Sequence, residues 1–224
     1  MKKYLIELLV IFVGISASFL VDEYREDIEI GRQVRKSLHS LKNELNSDVK
    51  DLKALISNID STDEHFSYIL NFESTSLFDE IVIDKAWQAV TTPRGGKLNL
   101  SVYSAMEASG IIYKIEDDSI RSEILDLYQN GYEWYHHVID YDLTHIQKMD
   151  DIILKDFVLL TDNKSWNLDW SKDSNVEQML NNNELRNYIA ANRGTKNILK
   201  NRAGRLIGRI EKVTQLIEKY SFYE

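Results

Sequence analysis

The sequence predicts an all-α protein: one amino-terminal transmembrane helix continuing into a long helical stalk, plus an antiparallel bundle of long helices with a short-helix cap. Three observations predict it. The run from Tyr4 to Val21 is 18 residues long and carries one charge, Glu7. As a helix it spans roughly 27 Å, close to the ~30 Å hydrocarbon core of a bilayer. Beyond it, apolar residues recur at alternating spacings of four and three over long stretches, the signature of helices that bury one face. With one proline and nine glycines in 224 residues, few breakers interrupt them.

Composition bounds the function classes. The chain has no cysteine, which excludes a disulfide framework, thiol catalysis and thiolate metal sites. Its net charge of −9 argues against nucleic-acid binding. The first run could be read as a cleaved signal peptide, with Lys2 and Lys3 as its basic region and Ser16-Ala17-Ser18 as its cleavage site. Glu7 interrupts the apolar region such a peptide needs, so a retained anchor over 1–21 is expected. Lys2 and Lys3 before the run, against Asp22, Glu23, Glu26 and Asp27 after it, favour a single-pass inner-membrane protein with its carboxy-terminal domain in the periplasm.

Residues 22–60 read as a stalk helix continuous with the anchor. Its stripe is Val34, Leu38, Leu41, Leu45, Val49, Leu52, Ile56 and Ile59, with one extra four-residue step, a stutter. Ser61 to Glu64 fits a capping box that would start a new helix. Residues 61–117 read as short helices and loops. They include the β-branched Ile81-Val82-Ile83, a helix from Asp84 to Val90, and the loop Thr91 to Lys97. A further helix from Ser101 is closed by Gly110. Residues 118–224 read as a long antiparallel hairpin packed on the stalk. Its first helix, to about Thr161, carries the seam Ile120, Ile124, Leu127, Gly131, Trp134, Val138, Tyr141, His145. Its second, from about Glu184 to Ser221, carries Leu185, Ile189, Asn192, Lys196, Leu199, Ala203, Leu206, Ile210, Val213, Ile217 and Tyr220. Asn192 and Lys196 are polar at core positions, a device that fixes register. Residues 116–162 hold 12 acidic and 3 basic side chains, whereas 184–212 hold 8 basic and 2 acidic. The two helices should therefore pack together.

Few residues carry candidate chemistry. Glu7 either snorkels toward Lys2 and Lys3, faces other copies of the helix, or lines an ion path. Gly14 and Ser18 share its face at small-xxx-small spacing, which lets helices approach closely. Trp166 and Trp170 either plug the bundle end or touch the membrane surface. Glu133-x-x-His136 and Asp142-x-x-His145 resemble halves of a di-iron carboxylate site, but both lie on one helix. His136, Asp140 and His145 are thus weak metal candidates, and no metal or other cofactor is expected. Gly95-Gly96-Lys97 lacks the outer glycine and the hydroxyl residue of a phosphate loop. No nucleophile motif is present.

Tyr4-x-x-Glu7, Gly14, and Tyr24 followed by Arg25-Glu26 form one set of motifs. Asn99, Val102 and Tyr103 through Ser109-Gly110, and Asn183-Glu184-Leu185-Arg186, extend it. Together they make the chain resemble an uncharacterised single-pass helical membrane protein family of Bacteroidota, known as a domain of unknown function. Members usually carry Trp at the position of Tyr24 and a longer basic amino terminus. The resemblance implies an inner-membrane helical protein and no catalytic residue. The expected function is a membrane-anchored, non-enzymatic oligomeric scaffold or interaction protein of the cell envelope. Its partners would be the bilayer, further copies of itself and an envelope protein. The alternative is a homo-oligomeric channel with Glu7 lining the membrane path.

Overall fold

The computed structural model describes the secondary structure of residues 2–72, 79–160 and 168–222, and the side chains of 9–72, 79–160 and 168–220. Among these the fold is helical: α1 (Lys2–Leu70), α2 (Glu80–Thr91), α3 (Ser101–Ala108), α4 (Asp118–Asp126), α5 (Glu133–Asp156), α6 (Asp173–Asn181) and α7 (Asn183–Phe222). A single antiparallel bridge joins Leu159 to Leu168. Two compact units result. Unit 1 comprises Met1–Asn46, Asn99–Leu125 and Lys212–Glu224; unit 2 comprises Ser47–Leu98 and Asp126–Glu211. Each unit draws on stretches far apart in the sequence.

Helix α1 does not stop at Asp60. The Ser61 hydroxyl donates to the Asn58 carbonyl at 2.8 Å, and Thr62 Oγ1 donates to the Ile59 carbonyl at 2.8 Å. Both hydroxyls are satisfied inside the helix, so neither caps a new one. The buried stripe runs Val34, Leu38, Leu41, Leu45, Asp48, Leu52, Leu55, Ile59, Thr62, Phe66, Ile69. Its spacings alternate four and three without a fault. The expected stutter is absent: Asp48 and Leu55 occupy the seam, and Val49 and Ile56 lie beside it, half-buried. Each fully buried leucine contributes about 1.5–3 kcal/mol, so this stripe suffices to hold the helix against the bundle.

A second correction lies between α4 and α5. Residues Leu127–Tyr132 form a π-helical turn, which adds one residue to the ladder and rotates everything after it. The expected seam therefore breaks after Leu127, although Val138 stays buried. Trp134 and Tyr141 turn outward, 57% and 65% exposed, while Tyr128, Tyr132, Tyr135, Ile139, Asp142, Ile146 and Met149 face the core. Gly131 does mark a close approach: a Cβ there would lie 2.9 Å from the Arg209 guanidinium and 3.1 Å from Leu206 Cδ1.

The remaining elements follow their local chemistry. Asp79 accepts from the Ile81 and Val82 amides, so Ile81 to Ile83 form the first turn of α2. Asp117 caps α4 through Ser119 and Ile120. Asn182 caps α7 through Leu185. Gly110 sits at φ 72°, the left-handed conformation a helix terminus needs. The stripe of α7 is buried from Leu185 to Ile217, including Asn192 and Lys196. The charge match holds within each unit. In unit 2 Arg209 pairs with Asp126, Lys200 with Asp60, and Arg193 clamps Asp63 at 2.7 and 2.8 Å. In unit 1 Lys212 pairs with Glu123 and Lys42 with Glu218. Helix α7 thus divides its positive charge between α1 and the α4–α5 side.

Candidate functional site

The chemistry concentrates in buried polar groups. In unit 1 the Glu44 carboxylate accepts from Ser101 Oγ at 2.8 Å and the Val102 amide at 3.1 Å. It caps α3 from another helix, since Leu100 offers no side-chain cap. Beside it a groove of about 550 Å³ runs between Lys36, Ser37 and Ser40 of α1 and Met106 and Ser109.

In unit 2 the π turn serves a carboxylate. Tyr132 donates its hydroxyl to Asp48 Oδ2 at 2.6 Å, and the Tyr128 ring packs 4.5 Å from it. Burial foremost, then the neighbouring Tyr128 and Asp48, drives the Tyr132 pKa far upward. The phenol is therefore a fixed donor, which makes a buried carboxylate tolerable. Tyr135 is pushed up to about 12, mainly by burial.

One layer further along α5 and α7 stands a second group. Asp142 Oδ2 accepts from Lys196 Nζ at 2.6 Å, and Oδ1 accepts from Asn192 Nδ2 at 2.9 Å. Burial lowers the Lys196 pKa, Asp142 opposes the shift, and the charge on Arg94 adds to it. The loop after α2 crosses this layer. Tyr135 donates to the Gly96 carbonyl at 3.2 Å and Leu98 N–H donates to His136 Nε2 at 3.2 Å. Gly95, at φ 94°, lies where a Cβ would meet Ile139 Cδ1 at 2.6 Å, so only glycine fits. Asn192 Oδ1 and Arg94 Nε are buried without hydrogen-bond partners.

The sequence-derived candidates fare unevenly. His136 spends the lone pair a metal would need on the Leu98 amide, and burial lowers its pKa. Asp140 is exposed, and His145 Nδ1 pairs with Thr195 Oγ1 at 3.2 Å. Among the described residues no three His, Asp or Glu side chains converge as a metal site. Trp170 is 5% exposed and meets Trp87 edge-on at 6.0 Å within the core formed by Phe157, Met149 and Ile189. Its ring is enclosed by that core, and its Nε1 lacks a partner. Trp166 and the side chain of Glu7 lie outside the described residues. Ser18 donates to the Gly14 carbonyl at 3.0 Å, and a Cβ at Gly14 would touch nothing within 4 Å.

Asp48 escaped the sequence reading, and Asp142 entered it only as half of a metal motif. A faultless four-three spacing on α1 and a mutual complement of Asp142 with the flagged Lys196 were the available signals. No protein-family model, curated protein or solved structure matches the chain.

Proposed function

We propose that the protein is a membrane-anchored, non-enzymatic scaffold of the cell envelope that self-associates through its anchor. The observation that carries this is the surface of α1 from Leu9 to Val21. Leu9, Val10, Ile11, Phe12, Val13, Ile15, Phe19, Leu20 and Val21 are all at least half exposed, and they cover the helix on every side. A helix apolar all round requires an apolar solvent. Among the described residues no helix is long and apolar enough to cross a membrane; the side chains of Leu5, Ile6 and Leu8, which extend the run, lie outside the described ones. The family resemblance points to the same inner-membrane placement, and Lys2 and Lys3 before the run against the acidic residues after it favour a carboxy-terminal domain in the periplasm. The open surface at Gly14 leaves room for a second helix.

In unit 2 the buried carboxylates are engaged inside the chain, Asp48 by Tyr132 and Asp142 by Lys196 and Asn192, which fits a structural role. The experiment is membrane fractionation of the full chain followed by mass measurement in mild detergent. Retention through alkaline carbonate and a multi-chain mass support the scaffold; release into the wash sinks it. A channel reading draws on Glu7, the one carboxylate in the run. Ion flux in vesicles that disappears in Glu7→Gln favours it over a closed scaffold.

A further inference from the structure

We propose that Asn192 and Lys196 join spontaneously into an amide staple across one turn of α7, with Asp142 shuttling the protons. Three side chains 0%, 2% and 1% exposed meet at one carboxylate. Its two oxygens hold the amine nitrogen at 2.6 Å and the amide nitrogen at 2.9 Å. Helix geometry brings the reacting groups together. Side chains four apart are neighbours, about 5–6 Å between Cβ atoms, and each leans toward the helix amino terminus. Lys196 therefore reaches back over the turn that carries Asn192.

The environment supplies the activation. A buried ammonium beside a buried carboxylate is costly, and transfer of one proton from Nζ to Asp142 removes both charges. Burial and the positive charge of Arg94 favour the neutral amine. The Nζ lone pair then attacks Cγ of Asn192, and the C=O π electrons move to Oδ1, an atom with no hydrogen-bond partner. Asp142 delivers its proton to Nδ2 and takes one from Nζ. The Cγ–Nδ2 bond breaks, the Nζ–Cγ amide remains, and ammonia leaves as ammonium with the last proton. Asp142 returns to its starting state, and no other reactant is needed. Fixed proximity supplies most of what such a slow aminolysis requires.

The test is the intact mass of the folded full-length chain in detergent, with peptide mapping. The expected result is a chain lighter by one ammonia. A tryptic peptide of residues 187–193 would be joined to one of 194–200, with no cleavage after Lys196. Asp142→Asn and Lys196→Met should both restore the full sequence mass. Wild type at its full sequence mass overturns the proposal. So does ammonia loss that persists in Lys196→Met, which would be succinimide at Asn192. If Asp142→Asn does not fold, the linked peptide in wild type still decides.

Discussion

The first turns of α1 and the whole of α7 are both helices rich in apolar side chains, and they dispose of them in opposite ways. On α7 the apolar residues keep to one stripe, and Leu199, Ala203 and Ile210 are fully buried against the rest of the chain. On α1 from Leu9 to Val21 they lie on all sides, with Phe19 70% exposed. The same kinds of residue are thus covered on α7 and left exposed on this stretch of α1. A stripe is solved by a neighbouring helix within the chain; a cylinder is solved by a bilayer or by other copies. The transition falls inside one uninterrupted helix, so whatever fixes the apolar end fixes the direction of the packed end.

Substitutions can separate the two regimes. The largest effect is expected from Val10→Arg combined with Val13→Arg, which adds about 5–7 kcal/mol at ~2.5–3.5 kcal/mol per arginine near a membrane-helix centre. Fractionation should find this variant in the wash with its helical circular dichroism intact. Leu199→Ala should do the reverse, lowering stability by about 2–5 kcal/mol through cavity formation while membrane retention is unchanged. Thermal or urea unfolding in detergent reads it.

Tyr132→Phe should cost about 1–3 kcal/mol, because Asp48 loses a buried donor. A raised phenol pKa stabilises the fold below the unfolded value near 10 and is lost as pH rises through the folded value. Wild type should therefore weaken above about pH 10, and the variant should weaken less steeply. The smallest effect is Asp63→Asn. Its hydrogen bond with Arg193 lowers the Asp63 pKa, so its contribution is present above the usual carboxylate range and lost as pH falls through the folded value. With Asp63 about half exposed, the difference at pH 7 should stay under about 1 kcal/mol. It should vanish in acid.

Much of the helical architecture was legible, and the misses share a cause. The α7 stripe was readable residue by residue, even through Asn192 and Lys196, because apolar neighbours on both sides held the phase. On α1 the phase was lost at Asp48, since a carboxylate at a core position looks like a surface residue until its partner is known. That partner, Tyr132, lies 84 residues away. The π turn that presents Tyr132 shifted the α5 seam by one residue, so Trp134 and Tyr141 were expected inside and Ile139 was not. Periodicity reports where a regular helix would point, and a π turn is not regular. Asp142 was hidden for the same reason as Asp48, its partner Lys196 standing 54 residues on.

We propose the apolar cylinder of α1 as an assembling membrane anchor. The most direct measurement is the mass of the full-length chain extracted in mild detergent, compared with the Val10→Arg/Val13→Arg variant in buffer. Wild type should run as one defined multi-chain assembly, and the variant as a dispersed, water-soluble chain. A wild-type chain that stays soluble without detergent, or runs as a monomer in it, would contradict the account.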